Sequence, residues 1–269
     1  YRTPRIDNLR VYLNGLSATA TNEDGYDTND GHNLPTWGST VFQLNGTDFG
    51  PLDTHTMVRY SNPELHDLSG DVFHAVNCTI TTAHTMATCR TVAGVGFNQS
   101  YEIEVGLQVS NRSFDMSSYA KPEVTGLQTT FTGSSEMPTF GAKVTVVGSN
   151  FGPVAWRNKV DSVYSNAELS NLAGYLYLAN CTVVKSHTTM VCDAGPGVGF
   201  NHTWSVNVGE QDGPRSFVKT SYIAPRVVSF NDGAVYPGLR TAGNESVVIN
   251  GTNFGPVGDT NIINAYYQH

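Results

Sequence analysis

Alternating apolar and polar side chains mark short segments along the chain, and two of these segments share one pattern. In the first, the apolar positions are Phe97, Tyr101, Ile103 and Val105. In the second, they are Phe200, Trp204, Val206 and Val208. A period of two residues is typical of a β-strand with one buried face. We therefore expect a strand at each segment, with both phenylalanines on the buried side.

The rest of the chain has the same character. Short runs rich in Val, Ile, Thr and aromatic residues are bounded by Gly, Pro and Asn at intervals of about ten residues, and no helical period is present. This pattern predicts an all-β protein. When it fills about 100 residues, it is typical of an immunoglobulin-like β-sandwich.

A long repeat organises these segments. The sequence NCTITTAHTMATC begins at Asn77 and returns as NCTVVKSHTTMVC at Asn180, 103 residues later, and GVGF, RSF and SY return at the same displacement. A further motif ending in FGP begins at Asn45, Val147 and Asn250. The chain therefore contains two complete units and the start of a third.

The repeat also predicts the unit boundaries. We expect unit one at residues 1–119, unit two at 120–223 and an incomplete unit three at 224–269, joined with almost no linker. Before its FGP motif, unit one has 16 more residues than unit two, and the polar segment 22–33 is the predicted insertion. Unit three stops before any cysteine pair. It would need more chain, or strands from another molecule, to form a sandwich.

Four cysteines form two pairs with identical spacing, Cys78 with Cys89 and Cys181 with Cys192. A zinc site would need closer pairs or histidines at ligand spacing. The spacing therefore favours two local disulfides, each contributing about 3 kcal/mol in the chain-entropy model. Disulfides indicate an oxidising compartment.

The chain also contains eight Asn-x-Ser/Thr sequons, which are acceptor motifs for N-linked glycans. Their asparagines are Asn45, Asn77, Asn98, Asn111, Asn180, Asn201, Asn244 and Asn250. Two sequon positions are lost from unit two, where Val147 and Pro214 replace the asparagines. A face without glycans could pack against a neighbour, so Val147 is a candidate contact residue.

Other residues that could carry chemistry have simpler interpretations. His84 and His187 recur between the paired cysteines, where we expect solvated side chains at a hairpin tip.

The insertion has acidic residues that could bind calcium, and they are Glu23, Asp24, Asp27 and Asp30. Their spacing does not match a calcium loop and favours a solvated segment. The Gly-rich GVGF segments are predicted turns between strands. Each FGP motif is predicted to be a core phenylalanine followed by a turn that ends a strand. We predict no catalytic residue, no metal site and no cofactor.

Charge and hydropathy exclude several classes of protein. The net charge is -8, only 14% of the residues are charged, and no basic run is interleaved with aromatic residues. Nucleic acid is therefore excluded as a partner. No apolar run is long enough for a membrane helix, so we expect no membrane contact within this segment. The chain begins without Met or a signal sequence, which is the pattern expected of a processed piece.

Together, the ordered motifs G-T-[DN]-F-G-P, N-C-T-x9-C, G-V-G-[FN] and a closing S-Y-A-x-P resemble those of the IPT/TIG domain, an immunoglobulin-like fold. The family occurs in plexin-type receptors, fibrocystin-like surface proteins and some transcription factors. The acidic charge, paired cysteines and sequons are most similar to its extracellular branch. The resemblance implies adhesion, recognition or spacing, and it carries over no catalytic residue.

We therefore expect a secreted or cell-surface glycoprotein made of tandem IPT/TIG domains. Its predicted role is that of a structural or adhesive element, with self-association into a fibre or array through domain packing or strand complementation, and with N-linked glycans. Two alternatives remain open at this point. One is a ligand-binding receptor ectodomain, and the other is an accessory module of a secreted carbohydrate-active enzyme.

Overall fold

A computed structural model describes residues 2–13, 16–20, 32–63, 72–131, 133–154, 160–166, 176–230, 241–244, 246–257 and 265–266. Throughout these ranges the regular structure is β-strand, with no helix. The expected all-β class is confirmed. The insertion residues 22–31, including the four acidic side chains, lie outside the described residues.

Unit one is a sandwich of two sheets. Its strands are β1 (Arg5–Leu13), β2 (Leu16–Ala20), β3 (His32–Leu34), β4 (Val41–Thr47), β5 (Thr56–Ser61), β6 (Phe73–His74), β7 (Val76–Thr82), β8 (Met86–Arg90), β9 (Gln99–Val105), β10 (Gln108–Val109) and β11 (Met116–Tyr119). One sheet has the order β2-β1-β4-β8-β7, and the other has β3-β11-β9-β5-β6 with β10 beside β9. Apart from β2, β3 and β6, this is the ABED and CFG arrangement of immunoglobulin domains.

Unit two repeats the arrangement. Its strands are β12 (Glu123–Thr129), β13 (Glu136–Met137), β14 (Ala142–Ser149), β15 (Val160–Ser165), β16 (Tyr177–Lys185), β17 (Thr189–Ala194), β18 (His202–Val208), β19 (Gln211–Asp212) and β20 (Lys219–Tyr222). The long strand β16 pairs with both β15 and β17 and so joins the two sheets at one edge. In unit one, β6 and β7 make these two pairings separately.

The insertion in unit one has a structural effect on both sides of its undescribed part. Strand β2 pairs with the edge strand β1 and extends that sheet by one strand. Residues 32–33, at the end of the predicted insertion, belong to strand β3, which pairs in parallel with β11. Unit two has a counterpart of β3 in β13, which pairs in parallel with β20. Residues 32–33 are therefore strand residues common to both units, and the predicted end of the insertion at residue 33 is wrong.

Each sandwich has an aromatic core. In unit one, Phe42 of β4 lies 4.9 Å from Tyr101 of β9, which stacks on Tyr60 of β5. In unit two, Trp204 of β18 stacks on Tyr164 of β15 at 4.5 Å. Immunoglobulin domains often place a disulfide between these layers. Here aromatic rings fill the space instead, from both sheets in unit one and from the paired strands β15 and β18 in unit two.

The alternating pattern predicted the buried residues at the centres of β9 and β18 correctly, but it placed the start of each strand too early. Tyr101, Ile103, Trp204 and Val206 are buried as expected. The two phenylalanines are not strand residues, because β9 and β18 begin two residues after them. Phe97 is half-buried, and Phe200 is 53% exposed. The expected core position of Phe200 is therefore wrong, because it belongs to the turn that precedes the strand.

Unit three is described only in part. Strands β21 (Arg226–Phe230) and β22 (Ile249–Thr252) form an antiparallel pair, which repeats the β1·β4 and β12·β14 pairings. Neither strand has a buried residue.

Candidate functional site: the junction between units one and two

The most elaborate arrangement of side chains lies where unit one meets unit two. Within the described ranges, His, Cys, Asp and Glu side chains form no group of three that could hold a metal ion. The same ranges contain no helix that could cross a membrane. The junction, by contrast, is built from short turns of both units that are held in place by hydrogen bonds.

The contributing surface of unit one is its end face, which we define as Thr36, Val95, Gly96 and the backbone of Tyr119. Backbone hydrogen bonds hold it together: the Gly94 amide donates to the Thr36 carbonyl at 2.8 Å, and the Tyr119 amide donates to the Gly96 carbonyl at 2.9 Å. The Tyr119 hydroxyl donates to the Val92 carbonyl at 2.7 Å and lies 2.8 Å from the Tyr60 hydroxyl. Buried tyrosines thus fix the Gly-rich loop that carries Val95.

The contributing surface of unit two is its base, which we define as Gly152, His187, Gly209 and Gln211. Gly152 belongs to an FGP motif, and His187 is at the tip of the β16–β17 hairpin. The two turns are tied together, because the His187 amide donates to the Gly152 carbonyl at 2.7 Å and the Phe151 amide donates to the His187 carbonyl at 3.2 Å. Phe151 is buried, as expected for the phenylalanine of this motif.

Val95 inserts into this base. Its side chain is only 4% exposed and belongs to the hydrophobic core of unit two, although the residue is in unit one. A Cβ atom on Gly152 would lie 2.4 Å from Val95 Cγ1, and one on Gly209 would lie 2.6 Å from Val95 Cγ2. Any side chain at either glycine would therefore collide with Val95. Both glycines also have positive φ, which favours glycine.

Two side-chain hydrogen bonds flank the valine. Thr36 Oγ1 lies 2.9 Å from His187 Nδ1. Gln211 Nε2 donates to the Tyr119 carbonyl at 3.1 Å, in a buried position. Burial lowers the pKa of His187, so its neutral form is favoured at the junction.

The chain segment between the units is also held. Asn150 Nδ2 donates to the Lys121 carbonyl at 2.9 Å. A cleft of about 360 Å³ lies beside this segment, and its lining includes Phe97, Lys121, Glu210 and Asp212. A packed valine, two flanking hydrogen bonds and a clamped linker together limit rotation of unit two against unit one.

The two repeated histidines have different surroundings in the structure, although the sequence predicted the same surroundings for both. His84 is exposed at its hairpin tip, as expected for a solvated side chain. His187 is not, because it contacts Thr36 across the junction; the expectation of a solvated His187 is wrong. The Gly-rich turns have the expected positive φ at Gly96 and Gly199. Their role in a junction was missed, although the recurrence of GVGF in both units was a usable signal.

The four cysteines form the two disulfides that their spacing predicted. Cys78 and Cys89 are bonded between β7 and β8, and Cys181 and Cys192 between β16 and β17, with Cα atoms 4.1 and 4.0 Å apart. Each bond joins neighbouring antiparallel strands within one sheet. The disulfides therefore stabilise a hairpin, whose tip in unit two contributes His187 to the junction.

Most sequon asparagines are accessible. Exposed side chains are found at Asn77, Asn111, Asn180, Asn201 and Asn244, and half-buried ones at Asn45, Asn98 and Asn250. Asn45 also donates from Nδ2, the atom to which a glycan would be attached, to Asn8 Oδ1 at 2.8 Å. Asn45 would have to break this bond to accept a glycan.

Val147 faces outward on β14, between Gly126 of β12 and Thr189 of β17, and it is 43% exposed. A residue of this size can contact a neighbour there. Its role as a contact residue stays a prediction.

The RSF motif has a structural role that the sequence did not reveal. Arg112 donates to Ser61 Oγ and Ser100 Oγ, each at 3.1 Å, and Arg215 makes the equivalent bonds in unit two. The serine of the motif accepts a strand amide, from Tyr101 in unit one and from Trp204 in unit two. The phenylalanines that follow, at positions 114 and 217, are 89% and 96% exposed.

Comparison with known proteins finds similarity among solved structures. No protein-family model and no curated protein matches the chain. Among solved structures, the chain is similar to a protein crystallised with a xylogluco-oligosaccharide (14% identity, 94% of this chain and 48% of that chain, TM-score 0.39). It is also similar to the Yersinia pseudotuberculosis adhesin InvE (12% identity, 72% and 57%, TM-score 0.39) and to domains 4–9 of the surface layer protein SbsC (14% identity, 94% and 38%, TM-score 0.23). The chain spans about half the length of the first of these proteins, and similarities of this strength do not identify a function.

Proposed function

We propose that this protein is a non-enzymatic structural or adhesive glycoprotein of the cell exterior, built from IPT/TIG-type units that stack through rigid junctions. The observation that carries the proposal is the junction between units one and two. A receptor or enzyme module can tolerate a flexible linker, whereas a fibre or spacer transmits force only if successive units keep a fixed orientation. A buried valine at the contact supplies this constraint.

The extracellular location is proposed on chemical grounds. Two disulfides indicate an oxidising compartment. Exposed sequon asparagines such as Asn77 and Asn180 are accessible to the glycosylation machinery. Glycans on several faces would restrict contact to positions that lack them, and Val147 is a position where unit two lacks the sequon found in units one and three.

Two measurements on native material test the proposal. Glycopeptide mass spectrometry should find glycans at Asn77 and Asn180, and electron microscopy should find linear or sheet-like arrays. Glycan-free peptides at both positions would contradict the extracellular assignment. A discrete, membrane-attached particle that does not assemble would contradict the structural role and would favour a receptor ectodomain.

A further inference from the structure

The residues of the junction occur twice in this chain. The base of unit two, Gly152, His187, Gly209 and Gln211, has an identical counterpart in unit one, consisting of Gly50, His84, Gly106 and Gln108. The end face of unit one likewise has an identical counterpart in unit two, consisting of Thr139, Val198, Gly199 and Tyr222. Only one copy of each surface takes part in the contact described above.

The unit one base is formed in the same way as the base that is filled. The His84 amide donates to the Gly50 carbonyl, and the Phe49 amide donates to the His84 carbonyl at 3.1 Å. Gly50, His84 and Gly106 have positive φ, as do their counterparts in unit two. A Cβ on Gly106 would have no atom within 4 Å, whereas one on Gly209 would collide with Val95. The unit one base is therefore open at Gly106, whereas the Thr54 side chain lies against Gly50, with its Oγ1 2.8 Å from the position of a Cβ on Gly50, and has to turn aside to admit a valine.

The unit two end face is equally preformed. The Gly197 amide donates to the Thr139 carbonyl at 3.0 Å, and the Tyr222 amide donates to the Gly199 carbonyl at 2.8 Å. Thr36, Val95 and Gly96 are buried in the junction, but their counterparts Thr139, Val198 and Gly199 are only half-buried. The described part of unit three thus does not cover this surface as unit two covers unit one.

Two exposed apolar side chains fit the same arrangement. Leu107 is 90% exposed and Phe200 is 53% exposed. Their counterparts, Glu210 and Phe97, both line the cleft beside the existing junction. If the unit one base met the unit two end face, Leu107 and Phe200 would line one cleft. Their exposure, which the fold of either unit leaves unexplained, would then have a common cause.

We propose that a second copy of this chain docks its unit two end face on the unit one base, so that Val198 of one copy sits between Gly50 and Gly106 of the next. The contact is the existing junction, formed between molecules. The contact joins two different surfaces, so every oligomer has a free unit one base at one end and a free unit two end face at the other. Further copies can therefore add head to tail. The proposal rests on the structural role given above and identifies its contact surface.

The contact between chains lacks the linker that joins units one and two. A tethered contact benefits from a high effective concentration, and an untethered one does not. We therefore expect association to depend on protein concentration, with longer assemblies at higher concentration, while the junction within each chain stays closed.

Two substitutions in the full chain test the contact from its two sides. Gly106→Asn places a side chain in the unit one base, where Asn tolerates positive φ and open space is available, so the fold should be unaffected. Val198→Asp puts a charge on the unit two end face. Gly133→Asn is the matched control, because Gly133 also has positive φ and space around it but lies on neither surface.

Sedimentation velocity over a range of concentrations should show wild type and Gly133→Asn forming a series of oligomers. Gly106→Asn and Val198→Asp should each remain monomeric. A mixture of these two variants should form dimers and stop there, because only one intact pair of surfaces remains.

Three results would overturn the proposal. They are a monomeric wild type at every concentration, oligomers that both variants leave unchanged, and mixed variants that stay monomeric. A monomeric wild type that carries glycans at Asn77 and Asn180 would overturn this contact while leaving the extracellular assignment intact. Oligomers insensitive to both substitutions would leave a structural role through another face, with unit three covering Val198 as one explanation.

Discussion

One buried position beneath the end face differs chemically between the two units. Unit one has Gln99 there, and unit two has His202, 103 residues later. His202 is fully buried, neither ring nitrogen makes a hydrogen bond of normal geometry, and the rings of Tyr164, Tyr177 and Tyr222 surround it edge-on. Burial lowers the pKa of His202, an effect that the backbone of Val198 and Gly199 partly offsets.

This difference predicts an acid-sensitive unit two. The pKa of His202 is lower in the folded state than its unfolded value of about 6.5. At any pH between the folded and the unfolded pKa, the unfolded state therefore binds more protons than the folded state. Stability is then fully present above about pH 6.5 and falls as the pH drops towards the folded pKa. Urea unfolding of wild type and His202→Gln between pH 7.5 and pH 5 should give a smaller pH slope for the variant. Equal slopes would show that His202 does not titrate across this range on unfolding.

A second residue-scale prediction concerns the tyrosine pair that holds the end-face loop. Burial raises the pKa of Tyr60 to about 12, so its hydroxyl keeps its proton at neutral pH. Tyr119→Phe removes the hydroxyl that bonds Val92 and Tyr60 and leaves both partners buried. We expect a loss of about 1–3 kcal/mol in the free energy of unfolding. Tyr266→Phe, at an exposed position, is the control and should change nothing measurable.

Among the strands, the disulfide-bonded hairpin is the element that links covalent chemistry to the junction. Strands β16 and β17 pair over most of their length, Cys181 and Cys192 lie directly opposite each other, and the hairpin tip holds His187 against unit one. The sequence predicted the pairing and the tip from the spacing of cysteines and histidines. It could not predict that His187 meets Thr36, because that contact depends on how two sandwiches are placed in space.

Removing this disulfide should therefore destabilise unit two, the unit whose hairpin it closes. The Cys181→Ala/Cys192→Ala variant should lose about 3 kcal/mol of unfolding free energy in unit two. Denaturant unfolding should show one destabilised transition, with the unit one transition unchanged. The Cys78→Ala/Cys89→Ala variant is the matched control and should show the reverse pattern. Equal destabilisation of both units by either variant would mean that the two sandwiches unfold as one cooperative block.

How much of each element was predictable depends on its length and partners. The alternation in β9 and β18 identified their buried faces, because a half-buried strand imposes its period on the sequence. It failed at Phe200, where a turn replaces the strand, and it gave no sign of β2, whose role depends on pairing with β1. The recurrence of GVGF and FGP identified turns, but only the structure shows that these turns meet across a unit boundary.

Over the whole molecule, the two sandwiches act as one body only if the junction stays closed. Val95 is buried in the core of unit two, so the packing of one unit depends on a residue of the other. Unit two repeats the valine and unit one repeats the glycines that receive it. A chain with the same contact at each end of a unit is suited to stacking.

Opening this junction should change the shape of the molecule without unfolding either unit. In Gly209→Asn the new Cβ would lie 2.6 Å from Val95 Cγ2, and Asn keeps the positive φ of the turn. We expect small-angle scattering at low concentration to show a broader distribution of distances than in wild type, with unchanged far-ultraviolet circular dichroism. Gly106→Asn, the same change in the equivalent turn of unit one, should scatter like the wild-type monomer. Identical scattering from both variants would mean that Val95 does not fix the orientation of the units.

The central claim is that one contact serves both within and between molecules, and high-resolution electron microscopy of the assembled protein tests it most directly. The account predicts a linear array in which each unit one base receives the end face of a unit two from the next chain. Val198 should then lie between Gly50 and Gly106, in the same geometry as Val95 between Gly152 and Gly209. An array held together by other faces, with the unit one base open to solvent, would contradict the account.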